Sequence, residues 1–238
     1  MVSYSGFGVV AKAGRFFYFE SSVAAKRVQL ALAFKRANVE VHALDYFDDQ
    51  TFFDLGVQRK VPLLQLADGR LLQDSEQILW QIDELFPQSP ALVNDCIDAD
   101  AWQALLNWRS QADRYFQRLY APLMLAYVDV GGNERSARDY TQRVQRQLGV
   151  SVEALASDRY ALYAQLEALS SLKALARLLG QQKYYMPSLS IADCLLAADF
   201  FPLQLMDGIN LPIDLLYYLQ RIEQESGVNM QQALLRPL

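Results

Sequence analysis

The chain has 238 residues, 52% of them hydrophobic and 21% charged, a composition that supports a sizeable core and excludes a disordered polypeptide. Its formal net charge of -5 disfavours a general nucleic-acid binder, which needs a basic face to displace counterions. The two cysteines, Cys96 and Cys194, form no CxxC pattern, and the single histidine, His42, excludes a multi-histidine site, so we expect no metal. No apolar run approaches the roughly 18 residues of a membrane span, so we expect a cytoplasmic protein without a membrane partner.

The first 86 residues alternate strand-like and helix-like segments. Residues 1–10 carry no basic side chain, so we interpret the segment before residue 15 as a short extension and not a signal peptide. Ser21-Ser22 opens a helical pattern, Asp68-Gly69 predicts a tight hairpin turn, and Asp74-Ser75 caps a further helix. The predicted strands cover residues 15–19, 39–44, 62–66 and 70–72, and the first two enclose a helix in a parallel βαβ unit.

After residue 86 nearly every segment has helical periodicity. Pro87-Gln88-Ser89-Pro90 stops the preceding helix and suggests a linker. Ser190-Ile191-Ala192-Asp193 has the form of a capping box at a helix start. The predicted helices cover residues 99–127, 135–179 in one or two pieces, a segment after 193, 212–225, and a short stretch from 229. The sequence therefore predicts an α+β protein with a mixed domain at 15–86, a linker at 87–97 and an all-helical domain at 98–238.

Three segments of the chain, followed by a C-terminal stretch, carry a resemblance to known proteins. Residues 27–32, then 60–64 with 68–69, then 74–78 resemble the first helix, the segment around the cis-proline and the acidic-serine motif at the third helix of the glutathione transferase superfamily, in that family's order. Residues 201–203 with 207–212 are most similar to the two-domain bacterial glutaredoxins that have a transferase-like helical domain. The resemblance implies a thioredoxin-like βαβ-ββα domain that binds glutathione, followed by an all-helical domain.

The resemblance implies a glutathione site around Val61-Pro62 and Asp74-Ser75. A cis bond before Pro62 would turn the backbone of Val61 outward to pair with an extended peptide; the alternative is a trans proline that begins a strand. Asp74 and Ser75 offer groups that match the γ-glutamyl end of glutathione, although they also suit an ordinary helix cap. Arg59 and Lys60 are near enough in sequence to reach the glycyl carboxylate; alternatively they are a solvated pair.

The resemblance to glutaredoxins ends where the redox chemistry takes place. Their Cys-Pro-Tyr-Cys motif falls on residues 22–25, which are Ser-Val-Ala-Ala. A serine hydroxyl cannot form a mixed disulfide, so thiol–disulfide exchange is disfavoured. Several transferase classes use a serine at this place to hydrogen-bond the glutathione sulfur. Ser22 is therefore the candidate catalytic residue, with Ser21 and Tyr18 as alternatives, unless both serines only cap the helix.

Two functions follow from these patterns, and a third is remote. The first is transfer of glutathione, as co-substrate, to an unknown electrophile, in a monomer or homodimer. The second is a catalytically silent transferase fold that serves as a binding or regulatory module. The third is a peroxidase or reductase that uses Cys96 or Cys194. The candidates for the electrophile site are aromatic residues of the first long helix, which are also common in cores: Tyr115, Phe116, Tyr120 and, further along, Tyr127.

Overall fold

A computed structural model describes residues 14–230 and 233–235, so the predicted extension before residue 14 lies outside the described residues. The N-terminal half is a four-stranded mixed sheet in the order β2-β1-β3-β4, with β1 parallel to β2 and antiparallel to β3. This layout confirms the predicted thioredoxin-like domain. Its elements are β1 Gly14–Tyr18, α1 Val23–Phe34, β2 Val39–Ala43, α2 Gln50–Asp54, β3 Leu63–Gln65, β4 Leu71–Leu72, α3 Ser75–Trp80 and α4 Ile82–Leu85.

Local sequence explains most of these elements. Phe16 and Leu64 are fully buried where β1 and β3 pair, as expected for strands inside a core. Ser22 caps α1 by accepting a hydrogen bond from the backbone N–H of Ala25, and Asp74 caps α3 in the same manner. The peptide bond between Val61 and Pro62 is cis, as predicted.

Two features of this half differ from the sequence predictions. The segment 50–54 forms the short helix α2, which the sequence reading does not include. The helix predicted after Asp74 is broken at Gln81, whose backbone leaves the helical region and separates α3 from α4. The strand ends lie within one residue of the predicted bounds, which is the range over which the boundary of an element is defined.

The C-terminal half is helical and confirms the predicted class. Its helices are α5 Ala99–Leu123, α6 Val128–Gly131, α7 Glu134–Leu148, α8 Val152–Ser157, α9 Arg159–Glu167, α10 Ser170–Gln181, α11 Ile191–Phe200 and α12 Ile213–Ser226, with 3-10 turns at Met124–Ala126 and Phe201–Leu205. In the described part of the chain, no helix is long and apolar enough to cross a membrane.

The predicted one or two helices over 135–179 are wrong, because the segment contains four. Gly149 adopts a left-handed conformation with φ of 70°, which ends α7, and Ser151 then caps α8 through the N–H of Ala154. The helix predicted over 99–127 ends earlier, at Leu123, directly after Pro122. No helix follows Asn229 among the described residues, which exclude 231–232 and 236–238.

Helix α11 forms the centre of the molecule, since all ten of its residues are buried. Its predicted capping box is confirmed: Asp193 Oδ2 accepts the N–H of Ser190 at 3.0 Å. Asp193 Oδ1 also accepts the N–H of Tyr185 and the hydroxyl of Tyr218, each at 2.8 Å. Helices α1 and α5 both contact α11, so this buried helix sets how the sheet half and the helical half meet.

Candidate functional site

Ser22 lies at the start of α1 and is half-buried. Its oxygen accepts the N–H of Ala25 at 3.2 Å, so the hydroxyl serves as a helix cap. Among the described residues, no acceptor takes the hydroxyl proton of Ser22. A serine hydroxyl is both donor and acceptor, so the capping bond leaves the donor available to a ligand.

Ser21, the first alternative, has a partner in the helical half. Its hydroxyl donates to Asp129 Oδ2 at 2.6 Å, and its backbone N–H donates to the same oxygen at 3.3 Å. Asp129 is 3% exposed, and burial raises the pKa of its carboxyl group, although the bonds from Ser21 act in the opposite direction. Sequence reasoning missed Asp129, because nothing local links it to a residue 108 positions away.

Tyr18, the second alternative, is also occupied. The ring is buried, and its hydroxyl donates to Glu20 at 2.7 Å. Burial, followed by the bond to Glu20, raises the pKa of Tyr18 above its ordinary value. Glu20 is in turn paired with Lys26 at 2.6 Å. Of the three predicted hydroxyls, Ser22 is therefore the one that has no acceptor in the described part of the chain.

The loop before Pro62 presents an open stretch of backbone. No described residue hydrogen-bonds to the backbone N–H or C=O of Val61, which is half-buried. Gln73 holds the preceding residues, because its side-chain amide donates to the carbonyls of Gln58 at 2.7 Å and Lys60 at 3.0 Å. Sequence reasoning missed Gln73, although its position beside Asp74 was a signal.

Asp74 and Ser75 have different roles at the start of α3. Asp74 accepts the N–H groups of Glu76 and Gln77, each at 3.0 Å, and the bond from Gln77 contributes most to lowering its pKa. Lys60 Nζ lies 3.8 Å from the other carboxylate oxygen of Asp74. The N–H and hydroxyl of Ser75 have no partner among the described residues. Asp74 is thus the cap, while Ser75 keeps free donors at the helix start.

Arg59 has a different setting from Lys60. Its guanidinium donates to Asp139 at 2.7 Å, and it lies 3.5 Å from Asp49. The side chain is 18% exposed, whereas that of Lys60 is 57% exposed. Arg59 therefore ties the sheet half to α7, and Lys60 is the predicted cation that stays accessible.

A cavity of about 490 Å³ lies between α1 and α5, beside the Ser22 loop. Phe116 and Tyr120, two of the predicted electrophile-site residues, line it. Tyr115 does not; it faces elsewhere and accepts a bond from Arg114 at 2.6 Å. Tyr127 is also absent from the lining and pairs with Leu234. The full lining is Val23, Arg27, Leu106, Arg109, Ser110, Asp113, Phe116, Gln117, Tyr120 and Asp199.

The cavity also contains a charged cluster that sequence reasoning missed. Arg27 donates to Asp199 Oδ1 through Nε at 3.0 Å and through Nη2 at 2.5 Å. Arg109 donates through Nε to Asp199 Oδ2 at 2.7 Å. The three residues come from α1, α5 and α11, so only the packing of those helices brings them together.

Neither cysteine joins this site. Cys194 is fully buried in α11, and burial raises the pKa of its thiol well above the ordinary value. Cys96 is half-buried in the segment before α5 and contacts the carbonyl of Ala91. Within residues 14–230 and 233–235, no group of three or more His, Cys, Asp or Glu side chains is arranged to hold a metal ion.

Solved structures share this fold. Glutaredoxin 2 from Salmonella typhimurium, in complex with glutathione, is 19% identical with a TM-score of 0.75, covering 92% of this chain and 97% of that one. A glutathione S-transferase from Ceriporiopsis subvermispora, also in complex with glutathione, is 16% identical with a TM-score of 0.70, covering 91% and 99%. One from Rhodospirillum rubrum is 18% identical with a TM-score of 0.65, covering 94% of each chain. None of the curated proteins matches the chain in sequence.

Two family models match consecutive parts of the chain. The glutathione S-transferase N-terminal domain matches residues 16–90. The glutaredoxin 2 C-terminal domain matches residues 104–234, which is more than half of the chain. This protein therefore belongs to the glutathione transferase superfamily, in the branch that has the helical domain of glutaredoxin 2.

Proposed function

We propose that this protein binds glutathione in the groove beside Val61-Pro62 and transfers it to an electrophile held in the cavity next to Ser22. The observation that carries the proposal is the free hydroxyl donor of Ser22 at the start of α1. The residue that follows it, Val23, already lines the cavity. A glutathione sulfur that accepts a hydrogen bond from the Ser22 hydroxyl would therefore lie between the groove and the cavity.

The chemistry needs a thiolate, which the start of α1 favours. A free thiol has a pKa of about 8.5, and each unit by which a site lowers it corresponds to about 1.4 kcal/mol. The hydroxyl of Ser22 would donate to the anionic sulfur, and the positive end of the helix dipole acts in the same direction. The thiolate then attacks an electrophilic carbon, forming a carbon–sulfur bond while the leaving group departs with its electron pair.

The remainder of the tripeptide would use the free polar groups of the groove. The unpaired backbone of Val61 suits the main chain of the cysteinyl residue, as in strand addition. The N–H and hydroxyl of Ser75 suit the γ-glutamyl carboxylate, because helix starts bind anions. Lys60 is the cation available to the glycyl carboxylate. The glutathione complexes of similarly folded proteins support this assignment of the groove.

Calorimetry with reduced glutathione tests the binding step. We expect binding in the millimolar range or tighter, weakened in Ser75→Ala and unchanged in Ser171→Ala, a half-buried serine of α10. The transfer step is tested with a panel of activated aryl chlorides, using Ser22→Ala as the variant. No heat of binding at millimolar glutathione would contradict the proposal.

The second candidate is a silent binding module, and one observation favours it. The hydroxyl of Ser21 donates to Asp129, so a residue of the helical half holds the loop that contains Ser22. This contact gives the serine loop a structural role that needs no catalysis. A module would bind glutathione with Ser75-dependent affinity yet accelerate no transfer. Transfer that disappears in Ser22→Ala, with glutathione affinity retained, would exclude this alternative.

A further inference from the structure

The cavity beside Ser22 has a charged wall that the transfer chemistry does not use. Arg27 and Arg109 share the single carboxylate of Asp199, whose side chain is 6% exposed. The two arginine side chains are 18% and 16% exposed, so water has limited access to all three groups. Two guanidinium groups therefore face one carboxylate at a largely desolvated site.

The arginines also retain unused hydrogen-bond donors. Arg109 bonds to Asp199 through Nε alone, so its two terminal nitrogens have no acceptor among the described residues. Arg27 uses Nε and Nη2, which leaves Nη1 free in the same sense. A guanidinium presents five N–H donors in a planar fork that fits a carboxylate. The unused donors belong to residues that line the cavity.

The other acidic residue of the lining does not neutralise this charge. Asp113 is exposed, where water screens its carboxylate, and it accepts a bond from Gln117 at 2.5 Å. It makes no ion pair with a described residue. Among the lining residues, the two arginines thus carry one more positive charge than Asp199 offsets, and a largely desolvated excess charge favours a bound counter-charge.

Part of the remaining lining forms a flat apolar surface, beside the polar side chains of Ser110 and Gln117. Leu106, Phe116 and Tyr120 line the same cavity, and the rings of Phe116 and Tyr120 are stacked at 5.3 Å. A ligand with an apolar ring and one anionic group would match both parts of the lining. The volume of about 490 Å³ is sufficient for a substituted benzene ring.

We propose that the cavity selects electrophiles that carry a carboxylate or an equivalent anionic group, which Arg109 and Arg27 bind while the apolar walls hold the ring. This inference rests on the proposed transfer of glutathione and specifies its second substrate. Arg109 and Arg27 are specificity-determining residues in this scheme. Ser22 remains the residue that faces the sulfur.

A matched pair of aryl chlorides tests the proposal. One is benzoate with chlorine in the para position and a nitro group beside the chlorine; the other is the corresponding benzamide. In the transfer, the glutathione thiolate attacks the carbon that bears chlorine, the carbon–sulfur bond forms, and chloride leaves with the electron pair. Because the amide activates the ring differently, each enzymatic rate is divided by the uncatalysed rate of the same compound.

Binding is measured first without glutathione, by calorimetry on the full chain. We expect the benzoate to bind about tenfold or more tightly than the benzamide, as a charge-assisted hydrogen bond provides. Arg109→Gln removes this preference, and Arg109→Lys retains part of it. Arg114→Gln, which alters an exposed arginine of the same helix outside the cavity, leaves the preference unchanged. Far-UV circular dichroism verifies that each variant is folded.

Three outcomes overturn the inference. They are equal binding of the two compounds by the wild-type protein, a benzoate preference that survives in Arg109→Gln and Arg27→Gln alike, and an Arg109→Gln variant that loses glutathione affinity instead. The last would assign Arg109 to the tripeptide. Failure of the proposed function is separate, since it would be seen as absent glutathione binding whatever the result for the benzoate.

Discussion

Helices α1 and α11 both begin with a serine cap, yet the two starts have opposite character. At α11, Ser190 is fully buried, and the Asp193 carboxylate accepts bonds from Ser190, Tyr185 and Tyr218. At α1, Ser22 is half-buried, and its hydroxyl proton has no acceptor in the described residues.

The difference shows how one sequence signal produces two kinds of site. A cap whose polar groups are all satisfied within the protein serves stability, because every donor and acceptor is used. A cap that keeps a donor free at the edge of a cavity can serve a ligand. Residual hydrogen-bonding capacity, and not the identity of the capping residue, separates the two.

The largest difference between the starts of α1 and α11 is expected in the reactivity of a cysteine placed at each of them. In a Cys96→Ser background, Ser22→Cys should form a mixed disulfide with oxidised glutathione, because a helix start favours the thiolate. Its sulfur attacks the glutathione disulfide, and one glutathione thiolate leaves. Intact-mass spectrometry measures the adduct.

The matched control is Ser190→Cys in the same background. Its thiol would be buried, so it should form no adduct while the protein remains folded. An unmodified Ser22→Cys would contradict the proposed groove, since the tripeptide would then fail to reach the start of α1.

Removing the carboxylate of α11 should have the largest effect on stability. Asp193→Ala leaves the N–H groups of Tyr185 and Ser190 and the hydroxyl of Tyr218 buried without an acceptor, and should cost about 3–5 kcal/mol. Asp98 is the exposed cap of α5, whose carboxylate accepts the N–H of Ala101 at 2.8 Å, and Asp98→Ala should cost about 1 kcal/mol. Urea unfolding measures both, and similar losses would refute the distinction.

The pH dependence of stability should carry the signature of Asp193. Burial raises its pKa from 3.8 to about 6 in the folded state. Because the folded-state pKa lies above the unfolded value, protonation of Asp193 stabilises the folded state. This protonation-linked part of the unfolding free energy is complete below pH 4 and disappears as the pH rises through 6. The rise corresponds to about 3 kcal/mol.

Unfolding of wild type and Asp193→Asn between pH 4 and 7 isolates this contribution. The difference in unfolding free energy between the two proteins should decrease as the pH rises. A constant difference would show that the hydrogen bonds to Asp193 offset its burial.

The smallest effect is expected from truncating the caps themselves. Ser190→Ala should cost about 1–2 kcal/mol, because it also leaves buried groups unsatisfied, and Ser22→Ala about 1 kcal/mol or less. Thermal unfolding followed by circular dichroism measures both. A larger loss in Ser22→Ala would mean that this serine is mainly structural.

The sequence predicts the features of this fold that local chemistry determines. The capping box of Ser190 and Asp193 and the cis bond before Pro62 each depend on residues close together in the chain, so the sequence predicts both. The break at Gly149 also has a local signal, since a glycine commonly ends a helix and a serine such as Ser151 commonly begins the next. The sequence prediction does not include this break, because the polar periodicity continues on both sides of it.

The candidate site could be predicted only in part. Ser22 follows from the helix cap that it forms, and Val61 and Ser75 follow from the Val-Pro and Asp-Ser motifs. Asp129 and Asp199 do not, because their partners Ser21 and Arg27 lie 108 and 172 residues away. A single sequence carries no record of which distant residues meet after packing, and the charged wall of the cavity arises in that way.

The bond between Ser21 and Asp129 has a consequence for how this chain can vary. Because a carboxylate of α6 positions the loop that contains Ser22, an excised N-terminal half would lose the anchor of the proposed reaction centre. Substitutions that displace α6 would act on that centre from a distance, without touching any ligand. Under the proposed function, the helical half is thus subject to the same constraint as Ser22.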